Sequence, residues 1–323
     1  MVPVRVLFAG TPEVAIPALD ALLDDVRFEV VAVLTNPDRP RGRSSRPVPS
    51  PVAARAAALG LTVLRPERVR DAADAIVATG ADIGAVVAYG SILPGDVLAT
   101  LPHGFVNLHL SLLPRWRGAA PVQHAVRAGD AVSGVSAFRL DEGMDTGPVL
   151  RSLEVPVPDG IDAGDLLDAL AEVGAPVLAD ALFAAVAGEP GRTQPSEGAT
   201  AAPRILPADA QVDWTRPADE VSRLVRSVTP RPGAVTTLDG SRLKIAGVLP
   251  GGMDDAAASA AQGGVPGEVL GTAGDAIVVA CGKGSVRVGR VQPAGRPWAS
   301  AADHVRGRLL TPGMVLGADD AGT

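Results

Sequence analysis

Val4-Arg5-Val6-Leu7-Phe8-Ala9-Gly10-Thr11-Pro12-Glu13 is the stretch on which the fold turns. A short apolar run ends at a glycine, Thr11 stands where a helix N-cap is expected, Pro12 suits the first helical position and Glu13 the first turn. Ile16, Leu19, Leu22 and Leu23 then recur at helical spacing, and Phe28 to Leu34 reads as a second buried strand. Strand, helix, strand is a βαβ unit. The turn lacks the second and third glycines of the G-x-G-x-x-G fingerprint, so a dinucleotide is not the expected ligand.

The alternation continues outward. Helices are expected over residues 53–58, 72–78, 121–128 and 162–187, and strands over 61–64, 83–88, 105–110, 132–140 and 149–157, a pattern that predicts an α/β, doubly wound, mostly parallel sheet with antiparallel final strands. Residues 189–207, rich in Pro, Gly, Ser and Thr, read as a linker. Beyond them one helical period at 218–228 and five short strands punctuated by glycines suit a small β-barrel, and 250–266 reads as an Ala/Gly-rich insertion loop.

With 323 residues, 47% of them hydrophobic, the chain can form two cores. Cys281 is the single cysteine, which excludes an internal disulfide framework and suits a reducing compartment, so the cytoplasm is expected. No apolar run is read as approaching the roughly 20 residues that span a bilayer, and no membrane partner is expected. The net charge of -7 argues against indiscriminate nucleic-acid binding; the excess lies before residue 205, with 17 basic against 24 acidic residues, while the remainder balances at 12 against 12. One segment of the acidic half is nevertheless basic. Residues 37–51 carry Arg39, Arg41, Arg43 and Arg46 among five prolines with no regular period, and a long structureless loop of guanidiniums suits an anionic partner.

Asn107 and His109 lie two apart on a predicted strand and so share a face, and the turn Asp141-Glu142-Gly143-Met144-Asp145 follows later. An amide donor, an imidazole and a carboxylate are the minimum needed to hold an oxyanion and manage a proton in acyl transfer. The other histidines, His103, His124 and His304, fall at no metal-ligand spacing, so no metal is expected; G-x-S-x-G is absent, so a serine nucleophile is not expected.

The ordered set Phe8-Ala9-Gly10-Thr11-Pro12, Pro37-Asp38-Arg39-Pro40, Val86 to Pro94, Asn107-Leu108-His109-Leu110-Ser111-Leu112-Leu113-Pro114-Arg115-Trp116-Arg117-Gly118 and Met144-Asp145-Thr146-Gly147 resembles the methionyl-tRNA formyltransferases, from near the N-terminus to about Arg308. The resemblance implies a Rossmann-like formyltransferase domain over 1–188, a linker over 189–207, an OB-like β-barrel over 208–311 that helps hold tRNA, and a tail over 312–323. It implies transfer of a formyl group from 10-formyltetrahydrofolate to the α-amino group of methionyl initiator tRNA by a monomer. Asn107, His109 and Asp145 match the catalytic trio. Folate-binding positions fall on Tyr89, Ser111, Leu112, Leu113, Pro114, Asp141 and Gly143, and tRNA-binding positions on Arg39, Arg41, Arg43 and Arg46. The chain departs from the pattern at Ser44, Ser45 and Arg46, where glycine and lysine are usual, at Arg204-Ile205-Leu206-Pro207, where lysines are expected, and near Arg231, where a tryptophan is missing. Two other readings stay open: a folate-dependent formyltransferase for a nucleotide-sugar amine or other small amine, and a noncatalytic RNA-binding module.

Overall fold

Strand β1 (Val4–Gly10) lies inside a seven-stranded sheet, and its residues Val6 to Ala9 are wholly buried because both faces are covered. The computed structural model describes residues 2–40, 46–251 and 264–318. Arg41 and Arg43, with most of the expected 250–266 loop, lie outside them. The chain forms two compact units, one of Met1–Pro121, Val132–Pro156 and Leu167–Pro203, the other of Val122–Ala131, Val157–Leu166 and Arg204–Thr323. This grouping is discontinuous in sequence, unlike cuts at 188 and 207.

In the first unit β2 (Phe28–Leu34), a two-residue ribbon of β3 (Arg39–Pro40) and β4 (Pro47–Val48), β5 (Val63–Leu64), β6 (Ile83–Val87), β7 (Phe105–His109), β8 (Val132–Arg139) and β9 (Val149–Pro156) follow. The sheet order is β5-β2-β1-β6-β7-β8-β9, parallel as far as β7 and antiparallel thereafter. Helices α1 (Ile16–Asp24), α2 (Pro51–Ala58), α3 (Ala73–Ala78) and the single turn α4 (Gly95–Leu98) connect its parallel strands. Thr11 does not cap α1 as expected. A 3-10 turn at Glu13–Ala15 precedes the helix, and the Thr11 hydroxyl donates to the Tyr89 carbonyl at 2.7 Å. Ser50 does form a cap: two residues past the ribbon, its hydroxyl accepts from the Ala53 N–H at the start of α2.

Helix α5 (Pro121–Ala128) groups with the second unit, where Arg127 donates to the Asp209 carbonyl at 2.7 Å and to the Ser227 hydroxyl at 3.3 Å. Helix α6 (Ala163–Val186), at 24 residues, is long and apolar enough by length and composition to cross a bilayer, which corrects the expectation that no segment approaches that length. Its apolar content has another use. Leu166, Leu170, Leu178 and Leu182 are buried, and at Gly174 the absent side chain lets the backbone approach Leu108 and Val135 of the sheet, an added Cβ meeting them at 3.0 and 3.3 Å.

The second unit holds α7 (Ala218–Ser227), α8 (Ala301–Arg306) and an antiparallel sheet of β10 (Ala234–Leu238), β11 (Ser241–Pro250), β12 (Val269–Ala273), β13 (Ala276–Ala280), β14 (Ser285–Pro293) and β15 (Ala299–Ser300). The order is β10-β11-β14-β13-β12 with β15 on β14, and among the described residues no pairing of β10 with β12 closes it. Its core is built on small branched residues such as Val225, Ile245, Val279 and Val288, with Trp214 anchored by its indole N–H on the Thr236 hydroxyl at 2.9 Å.

Candidate active site

His109 ends β7 almost wholly buried, and Asn107, two residues earlier on the same strand face, is half-buried. His109 Nε2 lies 2.8 Å from the Trp116 carbonyl oxygen. A carbonyl only accepts, so Nε2 carries a proton, and the other ring nitrogen is the one available for chemistry. That nitrogen, Nδ1, is 3.7 Å from Asp145 Oδ2. The ring packs edge-on against Phe138, with centroids 6.4 Å apart. Loop, strand and carboxylate thus fix the imidazole from three sides.

Asp145 reaches this position by an indirect route. In the β7–β8 register Arg139 pairs with Val106, so the chain leaves β8 beside the start of β7 and must turn back to bring a carboxylate to His109. The turn is organised internally by Asp141, whose carboxylate accepts from the Gly143 N–H at 3.1 Å and the Thr146 hydroxyl at 2.8 Å. Asp145 itself has φ +55°, a left-handed conformation that costs a non-glycine residue about 1–3 kcal/mol at a functional site. Its Oδ2 accepts from the Gly118 N–H at 2.7 Å. Gly118 has φ +121°, and an added Cβ would meet the Ala202 carbonyl oxygen at 2.7 Å. Only glycine fits there.

The loop after β7 is held with equal thoroughness. The Ser111 hydroxyl donates to the Arg115 carbonyl at 2.7 Å and is buried, which commits it to the loop and away from nucleophilic duty. Ser136, opposite His109 on β8, donates to the Ser111 carbonyl and accepts from the Leu113 N–H. Leu113 is buried with Phe138 and Val149, the Leu113-Pro114 peptide is cis, and Leu112 and Pro114 are half-buried.

The other sequence-named residues are placed differently. Tyr89 is 3% exposed in the core cluster with Leu7, Leu93 and Phe105, and burial pushes its phenol up to about 12; its backbone carbonyl, not its ring, enters the polar network at the strand ends. Asp141 and Gly143 are exposed on the Asp145 turn. Arg39, on β3, and Arg46, just before β4, are exposed.

Two features carried no sequence signal. A cleft of about 310 Å³ opens at the ends of β1, β2 and β6, lined by Thr11, Asn36, Arg39, Ser50 and Ser91. Its polar wall is pre-arranged: Asn36 donates to the Tyr89 carbonyl at 2.7 Å and accepts from Ser91, and Thr35 and Ser50 hydroxyls pair at 2.7 Å. None of Asn107, His109 or Asp145 lines it. The second feature is the expected linker, which is hydrogen-bonded into the first unit. The Arg117 N–H donates to the Thr200 carbonyl, the Ala202 N–H to the Arg117 carbonyl, and the Trp116 N–H to the Thr200 hydroxyl. These partners lie more than 80 residues from the motif, beyond the reach of any local pattern. Among the described residues no group of His, Cys, Asp and Glu is arranged to hold a metal.

The family described as "Formyl transferase" matches residues 4–182, and "Formyl transferase, C-terminal domain" matches 204–309. A methionyl-tRNA formyltransferase of Acidothermus cellulolyticus is 46% identical over 96% of this chain and 98% of its own length. That of Paenarthrobacter aurescens is 47% identical over 97% and 99%. Among solved structures, HypX from Aquifex aeolicus in complex with tetrahydrofolic acid shares the fold at TM-score 0.65 and 18% identity, covering 95% of this chain and 47% of that one. WlaRD, a sugar 3N-formyl transferase, aligns at TM-score 0.64 and 14% identity, covering 91% and 99%. The chain therefore belongs to the methionyl-tRNA formyltransferase family.

Proposed function

We propose that this protein formylates the α-amino group of methionyl initiator tRNA, with 10-formyltetrahydrofolate as donor, at the site built by Asn107, His109 and Asp145. The observation that carries the chemistry is the imidazole held between the Trp116 carbonyl at Nε2 and the Asp145 carboxylate near Nδ1. The near-full-length identity to methionyl-tRNA formyltransferases supports the acceptor, and the tetrahydrofolate complex of a structural relative supports the donor.

The transfer is direct. The neutral amine nitrogen attacks the formyl carbon, the carbonyl electrons move to oxygen, and collapse breaks the bond from that carbon to N10 of the folate. The proton shed by the amine ends on the departing nitrogen, leaving formylmethionyl-tRNA and tetrahydrofolate. Asn107 Nδ2–H and an Nδ1–H on His109 donate to the developing oxyanion, where such donors act on charge that exists only in the transition state. Asp145 partners the imidazolium and relays the amine proton. An acyl-serine step is unnecessary, since the Ser111 hydroxyl is engaged by Arg115.

In this reading Ser111 to Pro114 and the Asp141–Gly143 turn seat the folate. Arg39, Arg41, Arg43 and Arg46 meet tRNA phosphates, and the second unit, read as an OB-like barrel, supports the acceptor arm. A translation substrate implies work in the cytoplasm. The test is a formylation assay of the purified protein with charged initiator tRNA, charged elongator tRNA and a sugar amine. Preferential formylation of the initiator is the expected result; formylation of the sugar amine alone overturns the acceptor.

A further inference from the structure

The side chain of Gln194 sits between the loop after β7 and the Asp145 turn and uses its whole amide there. Oε1 accepts from Arg117 Nη2 at 2.7 Å and Nε at 3.1 Å, while Nε2 donates to the Asp145 carbonyl at 2.8 Å and the Gly147 carbonyl at 2.7 Å. The opposite amide orientation would set donor against guanidinium donors and oxygen against two carbonyl oxygens, so only one orientation satisfies all four hydrogen bonds. The two carbonyls are that of the left-handed residue Asp145 itself and that of Gly147 two residues on. The Asp145 carboxylate is fixed at its other end by the Gly118 N–H, and Gly118 is seated against Ala202 of the same downstream segment. One stretch of chain, residues 194–202, thus holds the Asp145 backbone directly and its carboxylate only through Gly118.

We propose that Gln194 is a positioning residue for formyl transfer: its amide locks the Asp145 turn to Arg117 and so sets the carboxylate against His109 Nδ1. The inference rests on the catalytic reading of Asn107, His109 and Asp145. A displacement of about 1 Å in a catalytic group can cost about 100-fold in rate without changing what binds. Gln194 touches no reacting atom, so its loss enters kcat through Asp145 alone.

The experiment compares Gln194→Met and Gln194→Glu with the unmodified full-length protein in steady-state formylation of methionyl initiator tRNA across a range of pH, with thermal melting of each. Gln194→Met keeps the volume and removes all four hydrogen bonds; kcat is expected to fall about 10- to 100-fold, with KM for both substrates within about twofold and the ratio to unmodified enzyme flat with pH. Gln194→Glu keeps an acceptor for Arg117 but, ionised, turns an oxygen toward two carbonyls. Protonation restores one donor, so its activity relative to unmodified enzyme is expected to rise as pH falls. A kcat for Gln194→Met within about threefold of the unmodified value, or a defect in KM alone, overturns the proposal. Should Gln194→Met fail to fold, Gln194→Glu decides: a pH-independent ratio overturns it. If the unmodified protein itself formylates no methionyl-tRNA, the functional reading fails; if it does and the variants match it, only this inference fails.

Discussion

The Asp145 turn and the arginine segment at 37–51 are both irregular loops that carry charge, and they are built in opposite ways. At the Asp145 turn the carboxylate is held by Gly118, the carbonyl by Gln194 and the preceding loop by Asp141. The described part of the arginine segment is secured by a two-residue ribbon and leaves Arg39 exposed. On the proposed reading, Asp145 must meet a reacting atom and so needs an over-determined position, and a strained φ persists only under such constraint. Arginines proposed to neutralise phosphate need only be near it, because the attraction acts over several ångströms and is read as salt dependence.

That contrast can be broken most directly at β7, which carries the proposed Asn107 and His109 pair. Asn107→Ala and His109→Ala should each lower kcat by about 10² to 10³ while folate affinity stays near that of the unmodified protein, as measured by single-turnover formylation and folate titration. A larger loss of kcat from Arg39→Ala than from either would invert the assignment of the two loops. Next in size is Gly118→Ala. Forcing a Cβ against Ala202 and into φ +121° should cost about 1–3 kcal/mol, visible as a lowered melting temperature, and formylation should fall with it because the N–H that holds Asp145 moves. Unchanged melting and turnover would show that the seat at Ala202 is slack.

A smaller effect is expected from Arg39→Ala and Arg43→Ala. Each should weaken tRNA binding and reduce the slope of log K against log salt by about 0.9 for every phosphate left without its guanidinium, with folate KM unaltered; a defect confined to folate would move the segment to the other side of the comparison. The smallest concerns Tyr89, the single tyrosine, so that an ultraviolet titration of the phenol reports on it alone. With its pKa pushed up from 10.0 to about 12 by burial, the folded-state contribution is fully present below pH 10 and is lost between pH 10 and about 12. Phenolate appearing near pH 10 in the folded protein would contradict the buried ring. Tyr89→Phe should leave folate KM unchanged if the ring serves the core, and a raised KM would restore it to the folate wall.

The sequence is most legible where structure is local. Apolar runs and helical spacing anticipate β1, β2, β7 and α6 within a few residues, and the two-residue period puts Asn107 and His109 on one face. Thr11 shows the limit of local reasoning: a sound N-cap by pattern, it is drawn off by the Tyr89 carbonyl 78 positions away. Residues 189–207 have linker composition because they make no helix or strand period, yet backbone pairing with Arg117 needs no side-chain pattern at all. The 24 residues of α6 are hard to see as one apolar segment because Asp165, Asp168, Glu172 and Asp180 interrupt the run, although the helix they form is coherent.

Ser136 has a further consequence. It sits opposite His109 in the β7–β8 pairing, and its one hydroxyl spans the Ser111 carbonyl and the Leu113 N–H. A slip of one residue between these strands would shift them by about 3.4 Å and turn β8 inside out relative to its partner. Both hydrogen bonds of the hydroxyl would break in the same step. On the proposed reading of the site, Ser136 thus works as a detent for strand alignment: one hydroxyl ties the loop after β7 to the register in which Asp145 Oδ2 lies 3.7 Å from the imidazole.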